Sequence, residues 1–380
     1  MPAAEDKSAA GNSAGRGAAK VVRVELSERS YEIEIGQGTL SQLGYFLQAR
    51  QQFSRAILVT DSQVAPLYAA IASAALEQAG LANTLLTVPA GEASKSMACL
   101  SKLWDETLSA GADRKTVVVA LGGGVVGDLT GFLAASFARG IPFVQVPTTL
   151  LAQVDSSVGG KVGINLPAAK NMVGAFWQPV GVLIDTDTLN TLPEREYRAG
   201  LAEVIKYGVI LDEAFFSYLE ANIEGIQARS PEVLRHIVAR CCELKADVVR
   251  QDEREETGLR AVLNYGHTFA HAFESRAGYG TLLHGEAVSI GMVCAARLAA
   301  GLGRVDREFC RRQFALLDAL GLPTSVPDFP AAELIELMQH DKKTVQGRLR
   351  FVLPTRLGHV ELLSGVDSRL VADSLQNDFH

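Results

Sequence analysis

The chain lacks any apolar segment long enough to cross a membrane. None of its hydrophobic runs reaches the roughly 18 residues that a spanning helix needs. Residues 1–20 also lack the hydrophobic core of a secretory signal, because they are rich in alanine, glycine and serine without periodicity. We therefore expect a disordered tail over residues 1–20, a cytoplasmic protein and no membrane partner.

Cysteine pairs and blocks of basic residues are absent as well. The five cysteines are scattered and none forms a C-x-x-C pair. This pattern argues against a disulfide framework and against a thiolate zinc site. The formal net charge is −7, and the sequence contains no block of basic residues. Nucleic acid is therefore not an expected partner, and the lysines in the middle of the chain should serve a small anionic molecule.

The chain has 380 residues, which is longer than a single core usually grows, so we expect two domains. In residues 21–193, strand-like apolar runs alternate with helical patterns, which favours a Rossmann-like α/β domain with a largely parallel sheet. The predicted strands are 56–60, 84–88, 116–121, 142–146 and 180–185, and the predicted helices include 64–79 and 94–110. The runs at 21–26 and 31–35, separated by a few polar residues, predict an antiparallel hairpin at one edge of the sheet.

Residues 194–380 have a different character, because apolar residues there recur at helical spacing. The helical segments are 195–210, 231–250, 259–276, 285–301, 306–320 and 331–340. A single late strand candidate lies at 348–354. We expect a second, mainly α-helical domain that binds metal and substrate.

A run of glycines follows the predicted strand at 116–121. Gly122, Gly123 and Gly124 would let the backbone adopt positive φ angles and approach a ligand closely, and a helix that opens at Gly127 and Asp128 could hold a pyrophosphate with its first amides. Gly122, Gly124 and Gly127 also spell G-x-G-x-x-G. The acidic ribose partner usually found about 20 residues further on is missing. Asp61, at the end of an earlier strand, is the better ribose partner. A glycine triplet after a strand can also serve only to form a turn, but Asp61 and the neighbouring lysines favour a nucleotide cofactor.

Histidines concentrate in one part of the helical half. His267 and His271 are four residues apart and share a helix face, and His284 lies just before another helix. Spacing alone suggests His267 and His271 as metal ligands, although histidines four apart on a helix are often structural. A catalytic zinc site takes about three protein ligands, so a carboxylate should join them. Glu203 is a candidate, unless it is a helix-surface residue facing Lys206 or Arg198.

Seven blocks in this order resemble the 3-dehydroquinate synthases. They are GGGVVGD, PTTLLAQVDSSVGGK, KNMVGAF, RAGLAEVIKYG, LNYGHTFAHAFE, LHGEAVSIGM and DKK, and the similarity runs from about residue 21 to 375. The resemblance implies a lyase that depends on NAD and on a divalent metal, usually Zn²⁺, with Co²⁺ also accepted. Such an enzyme converts 3-deoxy-arabino-heptulosonate 7-phosphate into 3-dehydroquinate and phosphate, and NAD is regenerated in each turnover.

The resemblance also implies roles for individual residues. The metal ligands would be Glu203, His267 and His284, and His271 would face the substrate phosphate instead. The NAD contacts would be Asp61, Glu92, Lys95, Gly123, Gly124, Asp128, Thr148, Thr149 and Thr191, together with Lys161 and Lys170. The family commonly has asparagine at the position of Gln63, so that contact stays open. Lys170 could also be a solvated helix residue.

The substrate would be clamped at both of its anionic ends. The phosphate would be held by Lys161, Asn171, His271, one of Lys342 and Lys343, and Arg139 of the partner subunit in a homodimer. Lys245, Arg260 and Asn264 would hold the carboxylate, and Asp155 and Lys206 would lie near the metal and the sugar hydroxyls. The catalytic set would then be Asp155, Lys161, Lys206, Lys245, Arg260, Asn264 and His271.

Three alternatives stay open from the sequence. Another sugar phosphate cyclase, making a deoxyinosose or a valiolone, would keep NAD, metal and elimination but would have no substrate carboxylate to bind. A metal-dependent polyol dehydrogenase would release NADH. A binding or scaffold protein without catalysis would not need a competent residue at every metal and phosphate position.

Overall fold

A computed structural model describes residues 19–167, 169–278, 280–340 and 349–377 of the chain. Its first half is built on a seven-stranded sheet. The strands are β1 (Lys20–Val24), β2 (Tyr31–Gly36), β3 (Ala56–Asp61), β4 (Asn83–Val88), β5 (Val117–Gly122), β6 (Phe143–Pro147) and β9 (Gly181–Asp185). The order in the sheet is β1-β2-β9-β6-β5-β3-β4. All neighbouring pairs are parallel except β1 with β2, so the predicted parallel sheet with an antiparallel hairpin at one edge is confirmed.

Helices cover both faces of this sheet. They are α1 (Leu43–Gln48), α2 (Ala70–Gln78), α3 (Met97–Ser109) and α4 (Gly124–Ser136). Successive side chains of a strand point to opposite faces, and the core divides accordingly. Leu58 and Val119 pack in the cluster that contains α1 and α2 residues, whereas Ile57 and Val118 pack in the cluster that contains α3 and α4 residues. Burial on both faces explains why these strands are continuous apolar runs.

A separate hairpin that the sequence patterns did not predict packs against α4. It consists of β7 (Lys161–Leu166) and β8 (Ala169–Phe176), paired antiparallel. Gly163 and Gly174 lie opposite each other in this pairing, and a Cβ at either would fall 2.1–2.5 Å from a carbonyl oxygen of the other strand. The glycines therefore allow the close approach of the strands, and they also weaken the strand pattern in the sequence.

The second half is mainly helical, as predicted. Its helices are α5 (Glu194–Leu211), α6 (Glu213–Ala221), α7 (Ile223–Gln227), α8 (Pro231–Gln251), α9 (His267–Ala277), α10 (His284–Gly301), α11 (Arg307–Ala319), α12 (Ala331–His340) and α13 (Ser368–Ser374). The late strand is present as β10 (Arg350–Arg356), but it pairs with a strand that was not predicted, β11 (His359–Ser364). Within the described ranges, no helix has both the length and the apolar character that a bilayer crossing requires.

The predicted helix over 259–276 is interrupted. A short 3-10 segment, Leu259–Asn264, comes first, and α9 begins only at His267. Gly266 between them has φ +78°, and a Cβ there would lie 2.9 Å from the backbone nitrogen of Met292 on α10. The break therefore places a histidine at the first position of α9, where its ring can face α5.

The two halves of the chain share one hydrophobic core. Val24 and Ile33 of the β1–β2 hairpin belong to the same buried cluster as Tyr197 and Phe269 of the helical half. Helix α8 packs along β1 and also against residues 152–156, which follow β6. This packing brings the helical half to the edge of the sheet where the parallel strands end, which is where ligands bind in open α/β sheets.

Candidate active site

Three helices bring one carboxylate and two imidazoles together. Glu203 lies inside α5, His267 begins α9 and His284 begins α10. Two glycines make the close packing possible. A Cβ at Gly285 would lie 1.8 Å from a carbonyl oxygen of α5, and one at Gly291 would lie 2.2 Å from the carbonyl oxygen of the residue before α9. Bulkier residues there would push α10 away and separate the three side chains.

The distances within this cluster suit a single metal ion. Glu203 Oε1 lies 3.6 Å from His267 Nε2 and 3.7 Å from His284 Nε2, and one ligand atom from each residue lies within 4.8 Å of the others. These separations are too long for direct hydrogen bonds. Ligand atoms about 2.0–2.2 Å from a tetrahedral ion lie roughly 3.4 Å apart, so the three atoms fit the donor set and spacing of a His₂Glu zinc or cobalt centre. In the described residues this is the only such group.

Spacing along the chain suggested His267 and His271 as the metal ligands, but in the structure His284 joins His267 in the cluster and His271 does not. The His271 ring lies 5.8 Å from the His267 ring and 6.5 Å from the His284 ring, centroid to centroid, so it borders the cluster without joining it. The His267 ring is held by its own Nδ1, which lies 3.0 Å from the carbonyl oxygen of Tyr265. Its Nε2 is therefore the nitrogen that faces Glu203.

An ion pair between the buried Lys245 and the half-buried Asp155 lies beside the cluster. Lys245 Nζ lies 2.6 Å from the carbonyl oxygen and 2.9 Å from Oδ1 of Asp155, and the Tyr207 hydroxyl donates a hydrogen bond to Asp155 at 2.7 Å. Burial alone would raise the pKa of Asp155, but the positive charges of Lys245 and Lys206 and the Tyr207 hydrogen bond outweigh it and hold the pKa below its usual value. Lys206 is also buried and forms an ion pair with Glu203. Asp155 is thus an ionised carboxylate next to two buried lysines.

Glu255 is a site residue that the sequence reasoning missed. Its carboxylate forms an ion pair with Lys161 and lies 3.7 Å from Nε of Arg260. Another nitrogen of Arg260, Nη1, donates a hydrogen bond to the carbonyl oxygen of Glu253 at 2.9 Å. Lys161 and Arg260 are the cations expected at opposite ends of the substrate, so one carboxylate lies between both anion-binding groups. Glu255 has φ +61° in the loop after α8. The signal in the sequence was the acidic run DEREE at residues 252–256, which ends four residues before Arg260.

The glycine motif lies at the carboxyl edge of the sheet, but its glycines do not have the expected positive φ angles. None of Gly122, Gly123, Gly124 and Gly127 lies in the left-handed region. Their role is clearance instead. A Cβ at Gly123 would lie 3.0 Å from Thr149 Cγ2, and one at Gly127 would lie 2.8 Å from a side-chain oxygen of the neighbouring strand β6. The amino end of α4 can therefore sit close to the strand ends and present its first amides to a phosphate.

Asp61 ends the neighbouring strand β3, as the sequence predicted. Its Oδ1 accepts hydrogen bonds from the backbone nitrogens of Gln63 at 2.8 Å and Val64 at 3.0 Å. Asp61 therefore also stabilises the turn that follows the strand. Thr148 follows β6, on the other side of β5 from Asp61, and its backbone nitrogen donates to the carbonyl oxygen of Gly122 at 3.0 Å.

Lys95 connects the glycine motif with the β7–β8 hairpin. Its buried Nζ lies 2.5 Å from Asp128 Oδ2 and also donates a hydrogen bond to the side chain of Asn171. Burial raises the pKa of Asp128, although the charge of Lys95 opposes that shift. Asn165, which the sequence reasoning missed, accepts from the backbone nitrogen of Asn171 at 2.8 Å and donates to Glu92 at 2.7 Å. Hydrogen bonds therefore connect residues 92–95 with the β7–β8 hairpin.

The remaining predicted residues are placed as follows. Thr191 is exposed, and its hydroxyl lies 2.5 Å from that of Tyr68, whereas Asn264 is half-buried in the turn before α9. Arg139 is exposed in a tight turn with φ +69°. Lys170 lies in strand β8 and not in a helix, and its Nζ is 3.5 Å from Glu274 Oε1. Lys342 and Lys343 lie outside the described residues.

Comparison with protein families gives two matches that meet in the middle of the chain. Residues 85–199 match the model described as 3-dehydroquinate synthase N-terminal, and residues 200–344 match the model described as 3-dehydroquinate synthase C-terminal. A 3-dehydroquinate synthase of Desulforamulus reducens is 52% identical over 346 residues, which are 91% of this chain and 96% of the relative. One of Neisseria meningitidis is 48% identical over 357 residues, which are 94% of this chain and 99% of the relative.

Solved structures give the same architecture with lower sequence identity. A 2-deoxy-scyllo-inosose synthase complexed with carbaglucose-6-phosphate, NAD⁺ and Co²⁺ superposes with a TM-score of 0.86 at 26% identity and covers 94% of this chain and 99% of its own. The 2-epi-5-epi-valiolone synthase of Streptomyces hygroscopicus, with NAD⁺ and Zn²⁺ bound, has a TM-score of 0.84 at 28% identity, with coverages of 92% and 97%. A glycerol dehydrogenase of Schizosaccharomyces pombe, at 16% identity and a TM-score of 0.63, covers 89% of this chain and 86% of its own and shares the fold alone.

Proposed function

Because the chain belongs to the 3-dehydroquinate synthase family, we propose that its side chains form three functional groups for the reaction of that family. These groups are a metal centre, a cofactor edge that binds NAD, and a substrate clamp. The activity is the conversion of 3-deoxy-arabino-heptulosonate 7-phosphate into 3-dehydroquinate and phosphate by a lyase that depends on NAD and a divalent metal. The observation that carries the assignment of roles is the burial of two cations, Lys245 and Arg260. Burial lowers the pKa of Lys245, and the charges of Arg260 and Lys206 act in the same direction. Lys206 in turn forms an ion pair with Glu203 of the metal cluster.

The metal centre is assigned to Glu203, His267 and His284, whose donor set and spacing fit one Zn²⁺ or Co²⁺ ion. Such an ion acts as a Lewis acid toward substrate hydroxyls. Lys206 stays in an ion pair with Glu203, which orients the carboxylate, and both side chains are only 2% exposed. Three protein ligands leave room for substrate oxygens at the same centre.

The cofactor edge is assigned to Asp61, the glycines at the start of α4, Thr148 and the pair of Lys95 with Asp128. NAD supplies a transient hydride acceptor, so the cofactor is regenerated within a turnover. The clearance at Gly123 and Gly127 lets the backbone amides approach a pyrophosphate. Lys95 also contacts Asn171, so the cofactor edge is joined to a residue expected at the substrate phosphate.

The substrate clamp is assigned to cations at two ends of the cleft. Lys161, Asn171 and His271 hold the phosphate, and Lys245, Arg260 and Asn264 hold the carboxylate. When both anionic ends are bound, Glu255 gives up its contacts with Lys161 and Arg260, and the substrate is fixed in one conformation. Elimination then proceeds with the substrate's own phosphate as the base for the C6 proton, and Asp155 and Lys206 orient the neighbouring hydroxyls.

The experiment that tests this function follows two products at once. The purified protein is incubated with the heptulosonate phosphate, catalytic NAD and Zn²⁺, and released phosphate and NADH absorbance are recorded together. We expect stoichiometric phosphate without accumulating NADH. Steady growth of NADH would favour a dehydrogenase, and no phosphate release would favour a cyclase with another substrate.

The carboxylate clamp separates this activity from that of the cyclases whose substrates lack a carboxylate. We expect Arg260→Ala to raise KM for the heptulosonate phosphate roughly 10- to 100-fold, because a charge-assisted hydrogen bond contributes about 1.5–3 kcal/mol. Steady-state kinetics measures the change. Arg260→Lys, which keeps the charge, should recover part of the loss, and Arg240→Ala, which removes a surface ion pair with Asp212, should leave KM unchanged. An unchanged KM in Arg260→Ala would refute the clamp.

Arg139 is assigned to the active site of a partner subunit in a homodimer. It is exposed in a turn where its backbone has φ +69°. We expect Arg139→Ala and His267→Ala to be nearly inactive alone and to regain up to about one quarter of wild-type activity after mixing, because half of randomly mixed dimers carry one complete site. Refolded mixtures are assayed for phosphate release. If mixing restores nothing while hybrids form, Arg139 does not act across an interface.

A further inference from the structure

The two histidines of the metal cluster present the same nitrogen to Glu203 and use the other nitrogen elsewhere. His267 Nδ1 lies 3.0 Å from the carbonyl oxygen of Tyr265. His284 Nδ1 lies 3.5 Å from Oε2 of Glu274, while its Nε2 faces Glu203 at 3.7 Å. Each ring therefore has a metal-side nitrogen and a partner-side nitrogen, and the partner of His284 is a carboxylate.

Glu274 is a buried carboxylate for which the assigned reaction has no role. It lies on α9 and its side chain is 10% exposed. Besides His284, it faces Nζ of Lys170 at 3.5 Å, and Lys170 reaches it from strand β8 of the other half of the chain. A buried carboxylate is retained at such a place only if cationic or hydrogen-bonding partners offset its desolvation.

The surroundings of Glu274 suit a carboxylate that is approached from two sides. Its Oε1 faces the ammonium group of Lys170, and its Oε2 faces Nδ1 of His284. An acceptor oxygen therefore faces Nδ1 of the ring.

We infer that Glu274 is the positioning residue of the metal centre: it accepts the Nδ1–H of His284, so that the Nε2 lone pair of that ring faces the metal, and Lys170 is its counter-ion. The inference rests on the proposed metal centre of Glu203, His267 and His284. A metal-bound histidine commonly donates its second nitrogen to a carboxylate, which fixes the ring orientation and makes the ligand nitrogen more basic. Lys170 then acts on the metal through Glu274.

The arrangement also explains why β8 matters to a metal bound by helices. Lys170 and Asn171 are neighbours in β8, and Asn171 contacts Lys95 of the cofactor edge. Strand β8 thus contacts Glu274, the partner of a proposed metal ligand, through Lys170, and it contacts Lys95 of the cofactor edge through Asn171. Loss of Lys170 should therefore weaken metal binding, although the lysine cannot be a metal ligand.

The test measures metal binding by the full-length protein after removal of metal with a chelator. Co²⁺ is titrated while its visible absorption bands are recorded, and Zn²⁺ affinity is measured by competition with a chromogenic chelator. We expect Glu274→Ala to weaken Zn²⁺ binding roughly 10- to 100-fold and to shift the Co²⁺ bands, because the hydrogen-bond partners of metal-bound histidines contribute to metal affinity by about this factor. Glu274→Gln keeps a hydrogen-bond acceptor of the same shape, so we expect it to weaken Zn²⁺ binding by only about 10-fold.

Two references separate the possible outcomes. His284→Ala should lose the Co²⁺ bands, whereas Glu220→Gln, which removes the charge of a carboxylate paired with Arg312 in the same half, should bind metal like wild type. If wild type itself binds no Co²⁺ or Zn²⁺, the proposed metal centre is wrong. If wild type binds and both Glu274 variants bind equally well with unchanged bands, only the present inference is overturned. The Gln variant keeps the test valid if the Ala variant does not fold.

The role of Lys170 is tested by a double-mutant cycle. Lys170→Met should weaken Zn²⁺ binding in the wild-type background and have little further effect in the Glu274→Gln background, because the counter-ion then has no charge to balance. Equal effects of Lys170→Met in both backgrounds would show that Lys170 does not act through Glu274.

Discussion

Replacing His267 with alanine is expected to abolish stoichiometric metal binding and to lower kcat/KM about 1000-fold. The imidazole is one of three protein ligands at the proposed centre, and its ring is fixed by the carbonyl oxygen of Tyr265. A Lewis acid at this position stabilises developing charge by several kcal/mol, and about 4 kcal/mol corresponds to a thousandfold change in rate. Metal content is measured after gel filtration, and kcat/KM from phosphate release with added Zn²⁺.

His271→Ala is the matched control for this substitution. It removes an imidazole from the same helix, one turn away, with a ring centroid 5.8 Å from that of His267. We expect this variant to keep about one metal per subunit and to lose activity mainly through a higher KM, since His271 is assigned to the substrate phosphate. If His271→Ala loses the metal and His267→Ala retains it, the spacing-based pair was the better hypothesis and the assigned centre is wrong.

Replacing Asp155 with alanine is expected to lower the free energy of unfolding by about 3–5 kcal/mol, because removal of one partner leaves a buried charge uncompensated. Lys245, which is only 6% exposed, loses its ion pair, and the Tyr207 hydroxyl loses its acceptor. Urea unfolding of the metal-free protein at neutral pH measures the change. Glu106→Ala, which breaks an exposed pair with Lys102, should change stability by less than about 0.5 kcal/mol.

The same carboxylate predicts how stability depends on pH. The pKa of Asp155 is lower in the folded protein than in the unfolded chain, so its contribution is fully present above the unfolded value of about 3.9 and is lost as pH falls toward the folded value. The difference in unfolding free energy between wild type and Asp155→Asn should therefore be constant from about pH 7 to pH 5 and shrink below about pH 4. A difference that grows on acidification would contradict the assigned ion pair.

The sequence predicted the sheet well because burial on both faces leaves a clear pattern. The runs that became β3, β5, β6 and β9 are mostly apolar and almost entirely buried, and helical spacing between them identified the layers. The hairpin β7–β8 had no such pattern, since Gly163 and Gly174 replace side chains that would have marked a strand. Strand β11 was missed because its residues are mostly exposed.

Within the site, motifs indicated residue types but not which side chains would meet. Lys161 and Arg260 were both identified as anion-binding cations, yet their common partner Glu255 lay in an acidic run that offered several equivalent carboxylates. Asn165 connects Glu92 with the backbone of Asn171, and nothing in a single polar residue of a strand indicates such a link. Contacts of this kind depend on how loops fold over one another.

The class of protein, the parallel sheet, the glycine motif at its edge and the family resemblance could all be read from the sequence, because local periodicity and ordered motifs are properties of short segments. The family resemblance also implied His284 as the ligand beside Glu203 and His267, whereas residue spacing did not, and the tertiary structure brings these three side chains together. Why the glycines are needed, and what Glu274 and Glu255 contact, became clear from the tertiary structure alone. The ligands come from three different helices, and helices that are far apart in the chain meet only where Gly285 and Gly291 let their backbones approach. Spacing along one helix therefore cannot identify a site that is formed by packing between helices.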